Sequence, residues 1–358
     1  MSPVGFDFGT SILVVASKDE EGNTVVKSER NCFIDVSTEG EEMLAGSNYI
    51  KDTEAGEEKL FVIGKDAIKL ANITACNDSM GERKSGLRRP MAKMVINSRT
   101  EKKAIQMLKH MAQNLIGPPK HENEVCVVSI PANPLDNTFS NTFHEDICLQ
   151  IIRDLGYDVY PITESLAVVF ATNPTTKDEY GEELQMTGIG ISWGAGGTNG
   201  CLAYKGKDTI RFAVARGGDW IDEEVSKVTG LTSSEVTVQK EKKSRKGELD
   251  LINPNPDDEI SYAISVYYRS LIQQVAKEFR KEFVDKGTQF TDPIEIVVSG
   301  GTSMPKGFPE LVEKIVKESK WPFDIKGVRK AQEPLSGTAI GCLNAALSKE
   351  KRNNNALQ

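Results

Sequence analysis

Gly5-Phe6-Asp7-Phe8-Gly9-Thr10-Ser11 and Ser192-Trp193-Gly194-Ala195-Gly196-Gly197-Thr198-Asn199-Gly200 decide how the chain is read. In each, an apolar run stops at a small-residue turn and then resumes: Val4 to Phe8 and Ile12 to Ala16 flank the first turn, and Thr187 to Trp193 and Cys201 to Tyr204 the second. Both patterns predict β-hairpins. Thr209 to Ala215 adds a third strand to the second hairpin, so the chain reads as a distant internal repeat with a hairpin opening each α/β half. A third glycine segment, Ser299-Gly300-Gly301-Thr302-Ser303-Met304-Pro305, follows the apolar run Ile294 to Val298, as when a strand runs into a helix and a ligand sits at the strand's C-terminal end. Small residues let backbone N–H groups converge closely on an anion, so the three segments together predict a phosphate cradle.

Working outward, Cys32 to Gly86 is polar and acidic around one expected strand, Leu60 to Gly64. Thr100 to Ile116 places Ala104, Ile105, Leu108, Met111, Ala112 and Leu115 at helical spacing. Val125 to Ile130 is apolar throughout, as in a strand buried on both faces, and a helix is expected from about Thr142 to Leu155. Residues 1–160 thus read as one α/β domain. Ile260, Ile264, Tyr267, Leu271, Val275, Phe279 and Phe283 recur three or four apart, predicting a long core-facing helix over Glu259 to Asp285. The basic run Lys240 to Lys246 reads as an exposed or ligand-facing helix end, and the polar tail from Lys349 to Gln358 as frayed.

Composition narrows the function. The 358 residues carry 44 Lys+Arg against 52 Asp+Glu, a net charge of −8, so no basic field is present for nucleic acid or anionic membrane. At 39% hydrophobic the chain builds cores, and its length predicts two domains. The N-terminus lacks a basic stretch followed by an apolar one, and no run is apolar enough to span a bilayer, so a cytoplasmic protein is expected. Six cysteines are scattered without a CxxC pair or a histidine at ligand spacing, predicting reduced buried thiols and neither zinc nor disulfides. Neither GxxxxGK[ST] nor GxGxxG occurs, which removes the P-loop and dinucleotide-fold readings.

The ordered set GFDFGTS, VSIPA, TESLAVVFA, SWGAGGTNG, GGDWID, VVSGGTSMPKG and EPLSGTAIGCLNAA resembles the actin-type ATPase superfamily of actins, sugar kinases and seventy-kilodalton heat-shock chaperones, over nearly the whole chain. FVIGKDA at 61–67 and RRPMAKMVI at 88–96 look most like the bacterial actin-like filament proteins of the rod-shape and magnetosome types. The resemblance implies a two-domain actin-like α/β fold, in which duplicated ribonuclease-H-like domains enclose a nucleotide cleft. Domain I would comprise 1–160 and 335–358 with an insert at about 32–88, and domain II 161–334 with an insert at about 217–257. VSIPA and EPLSGTA would be the two crossing helices of the hinge.

It further implies that ATP or ADP binds with Mg²⁺. Asp7 would hold the metal through water, and Gly9, Thr10 and Ser11 would face the β- and γ-phosphates. Gly194, Ala195, Gly196, Gly197 and Thr198 would cradle the other side, with Gly300, Gly301, Thr302 and Met304 at the adenosine. Gly217, Gly218 and Asp219 would lie near the ribose and phosphates, and Lys240 at base and ribose, with Thr237 where the family has Glu. The family's second carboxylate is replaced by Ser192, and Asn199 also replaces an acidic residue. Counting back from Gly156 gives His144, with Glu145 one step away, as candidates to position the attacking water. The expected function is a slowly hydrolysing ATPase that polymerises with itself into filaments and carries an unknown cargo or adaptor. A non-polymerising chaperone-like or regulatory ATPase is the alternative, followed by a sugar or acid kinase.

Overall fold

The computed structural model describes residues 3–74, 76–77, 83–84, 86–172, 175–177, 183–185, 187–290 and 292–356. Its main strands are β1 (Val4–Phe8), β2 (Ile12–Lys18), β3 (Thr24–Arg30), β4 (Val125–Ile130) and β5 (Asp158–Thr163), then β6 (Gly188–Trp193), β7 (Thr198–Tyr204), β8 (Lys207–Val214), β9 (Ile294–Ser299) and β10 (Ile325–Lys330). They form two five-stranded sheets with the same topology, β5-β4-β1-β2-β3 and β8-β7-β6-β9-β10. In each, a hairpin strand pairs antiparallel on one side and parallel on the other. Asp7 opposes Ser129 across the parallel pair in the first sheet, and Ser192 opposes Ser299 in the second. Every residue of β4 and β6 is buried, because helices cover both faces of the parallel region.

The helices are α1 (Gly64–Thr74), α2 (Ala104–Ile116), α3 (Thr142–Asp154), α4 (Glu164–Thr172), α5 (Gly218–Thr229), α6 (Ser233–Lys246), α7 (Glu259–Asp285), α8 (Phe308–Glu318) and α9 (Gly337–Ala356). The pair α4 and α9 crosses between the sheets so closely that a Cβ on Gly341 would lie 1.7 Å from the Ala167 carbonyl oxygen. A Cβ on Gly5 would lie 2.2 Å from the Ala339 oxygen, which puts α9 directly on β1. This corrects the hinge expectation: EPLSGTA does open a crossing helix, but its partner is TESLAVVFA. VSIPA belongs to β4 and its end, because a hexapeptide apolar but for Ser129 fits a doubly covered strand.

Two large cores follow from the two sheets. One gathers Phe6, Phe8, Val128 and the buried face of α2, and the other packs α7 and α8 on the second sheet around Trp193, whose ring meets Phe308 edge-on at 5.2 Å. The insert after Cys32 holds more sheet than expected: Phe33–Ser37, Tyr49–Glu54 and Glu57–Ile63 form three antiparallel strands. Strand β3 was likewise invisible as an apolar run, since only its pairing with β2 makes Thr24–Arg30 a strand. The tail is helical to Ala356, whereas Leu357 and Gln358 lie outside the described residues. Cys32, Cys126, Cys148, Cys201 and Cys342 are free and buried, and the Cys76 side chain lies outside the description. Among the described residues no helix is long and apolar enough to cross a membrane.

Candidate functional site

A cleft opens between the two sheets where the hairpin turns face each other. It brings together Asp7, the Gly9–Ser11 turn, Ser192, the Gly194–Gly197 turn, Gly218, Asp219, Lys240, and Gly300–Thr302 with Met304. The turns nearly touch: a Cβ on Gly196 would lie 2.5 Å from Thr10 Oγ1. Asn31 braces the first turn, its backbone N–H donating to the Ser11 carbonyl at 2.9 Å and its side-chain amide to the Gly9 carbonyl at 2.9 Å. The second turn is braced by Gly218 N–H on the Gly194 carbonyl at 3.0 Å, Asp219 N–H on the Ala195 carbonyl at 2.9 Å, and the Thr302 hydroxyl on the Gly194 carbonyl at 2.8 Å. Gly300 adopts φ +94°, and a Cβ there would lie 2.2 Å from the Trp193 oxygen, so only glycine fits. Gly217 and Thr198 stand behind the second turn, where a Cβ on Gly217 would meet the Gly194 oxygen at 2.4 Å and the Thr198 hydroxyl donates to the Arg216 carbonyl at 3.0 Å.

Asp7 is half-buried on β1 and accepts a hydrogen bond from the Ser129 hydroxyl at 2.6 Å; desolvation nevertheless raises its pKa to about 6. Glu164, the first residue of α4, was missed as a candidate. It lines the cleft, and burial together with the charge of Asp7 raises its pKa to about 8. The Ser192 hydroxyl and the Asn199 amide, at 2.8 Å, hydrogen-bond to it. The carbonyl oxygen of that same amide accepts from the Ala132 N–H at 2.9 Å, which fixes which end of Asn199 faces the carboxylate. The sequence did hold a signal for Glu164: it directly follows a parallel strand and opens a helix, the position from which α/β sheets address their ligands.

His144 does not reach this cleft. It is 1% exposed on α3, 3.6 Å from Cys148 Sγ, and burial lowers its pKa to about 4. Glu145 faces a second cavity, beside Asn141 and Arg211. Chain spacing led to both, yet the loop from Asn133 to Asn141 turns aside to dock on β8, where the Leu135 N–H donates to the Ala213 carbonyl at 2.8 Å and Asp136 accepts from the Ala215 N–H at 2.7 Å. Lys240 lines the cleft but is committed, with Nζ 2.7 Å from buried Asp222 and 2.8 Å from the Gly218 carbonyl. Thr237 donates to Asp222 from the other side at 2.7 Å. The rest of the basic run is ion-paired in part as well: Lys243 with Asp258, Arg245 with Glu241, and Lys246 with Glu248.

Asp7 and Glu164 are thus two half-buried carboxyls whose pKa values are raised first by desolvation and, at Glu164, also by the charge of Asp7, while Lys240 is committed to Asp222. A site of that kind fits a divalent cation that takes one or two carboxylates and completes its shell with phosphate oxygens and water. No cluster of three or more His, Cys, Asp or Glu suited to a metal occurs among the described residues.

No curated protein matches the chain. Among solved structures, a MamK double helical filament is similar at TM-score 0.63 and 15% identity, covering 98% of each chain. MreB5 of Spiroplasma citri bound to ADP is similar at 0.60 and 14%, covering 99% of this chain and 98% of that one. The ethanolamine utilization protein EutJ from Carboxydothermus hydrogenoformans is similar at 0.55 and 17%, covering 96% and 90%. At such identities the likeness establishes the actin-like two-domain α/β fold. Residues 1–346 match the family described as Volactin, to which this chain therefore belongs.

Proposed function

We propose that this chain binds ATP with Mg²⁺ between its two hairpin turns, hydrolyses it slowly, and assembles head-to-tail into cytoplasmic filaments. The carrying observation is the facing pair of glycine turns with Asp7 and Glu164 half-buried beside them, an arrangement suited to a triphosphate with a cation. When bound, Mg²⁺ supplies positive charge at the β- and γ-phosphate oxygens. Asp7, fixed by Ser129, would hold that ion, and backbone N–H groups of both turns would receive the phosphates. Glu164 is the group we assign to the attacking water: in its ionised form it accepts the water's proton, and Ser192 and Asn199 hold its carboxylate in place. His144 and Glu145 carry no role in this reading. Gly301 is exposed and approached only by the Leu335 side chain, which leaves backbone open to an adenosine.

The filament half of the proposal is supported by the likeness to a MamK filament and rests on a heterologous contact that does not close. Sedimentation and negative-stain microscopy of the full chain with MgATP test it. Filaments above a threshold concentration are expected. A protein that binds MgATP yet stays monomeric at high concentration, also with a non-hydrolysable analogue, is the regulatory ATPase instead; substrate-dependent phosphotransfer would make it a kinase.

A further inference from the structure

Arg30 ends β3 on one side of the cleft mouth, and Glu241 lies on α6 on the other. The guanidinium spans the gap with two hydrogen bonds, of 3.0 and 2.6 Å, to the two carboxylate oxygens. Neither residue is in the phosphate cradle, but each is next in sequence to a residue that braces it. Arg30 precedes Asn31, which holds the Gly9 and Ser11 carbonyls of the first turn, and Arg30 itself donates to the Ser11 hydroxyl at 3.4 Å. Glu241 follows Lys240, whose ammonium holds the Gly218 carbonyl, and the Gly218 N–H in turn holds the Gly194 carbonyl of the second turn. Arg245 donates to Glu241 at 2.9 Å and fixes it in place. A second ion pair, Arg89 with Asp219 at 3.0 Å, ties the segment before α2 to α5.

We propose that the Arg30–Glu241 pair is a strap that closes the cleft and sets how fast nucleotide leaves it. This rests on the reading of the cleft as a nucleotide site. Leaving requires the two turns to separate, and each turn is tied to one end of the strap, the first through Asn31 and the second through Lys240 and Gly218, so the turns cannot part while it holds. The side chains are only 21% and 29% exposed, and the planar fork meets the carboxylate along both edges, which is the geometry in which an ion pair near a surface contributes most.

The test is release of a fluorescent ADP analogue from the full chain, chased with excess ATP, for wild type, Arg30→Gln, Glu241→Gln and the double variant. Each single variant is expected to release roughly five- to tenfold faster, with the double no faster than either single, because one contact is lost in all three. Raising salt should speed wild type and leave the variants unchanged. Hydrogen exchange on nucleotide-free protein gives a second readout: Glu241→Gln should raise exchange at Arg30 to Cys32 and along α6. Unchanged release, or single effects that multiply in the double variant, overturns the strap while the nucleotide reading stands. A wild-type chain that takes up no analogue overturns that reading, and the exchange barrier with it.

Discussion

The hairpins β1–β2 and β6–β7 occupy equivalent places in equivalent sheets, yet they carry unequal charge. Asp7-Phe8-Gly9 and Ser192-Trp193-Gly194 correspond, and both Asp7 and Ser192 face a serine on the neighbouring parallel strand. Only the first hairpin keeps a carboxylate. On the second, the hydroxyl of Ser192 and the amide of Asn199 serve a carboxylate that comes from elsewhere, Glu164 at the start of α4. The two hairpins hold the same place in their sheets, and the two carboxylates set beside them, Asp7 and Glu164, come from two different elements. The missing acid at Ser192 therefore does not mean a site with one carboxylate.

The strongest way to break this comparison is Glu164→Gln. If Glu164 handles the attacking water, hydrolysis should fall about 10²- to 10³-fold with ATP affinity within about threefold, because general-base catalysis contributes on that scale while the turns still bind phosphate. Single-turnover kinetics with separately measured affinity decide it. Unimpaired hydrolysis would return the role to the second hairpin. The next largest effect is on binding. Gly301→Val should lower nucleotide affinity by about tenfold or more without lowering the melting temperature, since a Cβ at Gly301 meets nothing nearer than Leu335 Cδ2 at 3.2 Å. Equal affinity in wild type and variant, by calorimetry, would remove Gly301 from the adenosine side.

Much of this was legible in the sequence. The hairpin turns, β4, β9 and α7 follow from apolar patterning, and the three glycine segments mark the cleft because their geometry is a backbone property written in glycine itself. What failed was whatever depends on chain path. His144 was reached by counting along the chain, but the loop of 133–141 spends its length docking on β8, so spacing along the sequence does not map onto spacing in the cleft. Lys240 is at the site, yet Asp222 and Thr237, which pin it, are set by the packing of α5 on α6. Strand β3 and the insert's Tyr49–Glu54 lack apolar alternation and exist because neighbouring strands offer them an edge, whereas the insert's central strand was readable from its apolar run at Leu60.

Ser192→Asp would make the two hairpins alike, and the structure reverses the simplest expectation for it. The new carboxylate would stand against Glu164 and near Asp7, a third acid in a buried site, so hydrolysis should fall several-fold and stability by about 1–3 kcal/mol at neutral pH. A faster variant would show that Ser192 is the true vacancy. The pH dependence carries the same charge. Both folded-state pKa values lie above ordinary carboxyl values, about 6 for Asp7 and about 8 for Glu164, so the folded chain holds these protons more tightly than the unfolded chain. Their stabilising contribution is complete below about pH 4 and is lost as pH rises toward 8. Nucleotide-free protein should therefore show a lower melting temperature at pH 8 than at pH 6 from these groups, and Glu164→Gln should flatten that slope. A slope as steep in the variant as in wild type would assign it to other groups.

The finest contrast is between the serines behind the two hairpins. Ser129 donates to the Asp7 carboxylate at 2.6 Å, whereas Ser299 donates at 3.1 Å to the Pro334 carbonyl, away from any acid. Ser129→Ala and Ser299→Ala each delete one buried hydrogen bond, so both should cost about 1 kcal/mol of stability, read as a small drop in melting temperature. Only the first should touch the chemistry. Without its donor, ionised Asp7 is less favoured and its pKa moves further up, so the midpoint of MgATP binding against pH should shift upward by about one unit or less in Ser129→Ala and stay fixed in Ser299→Ala. Equal shifts in both variants would mean that Asp7 does not titrate in the binding step, and that the charge asymmetry between the hairpins has no consequence for the ligand.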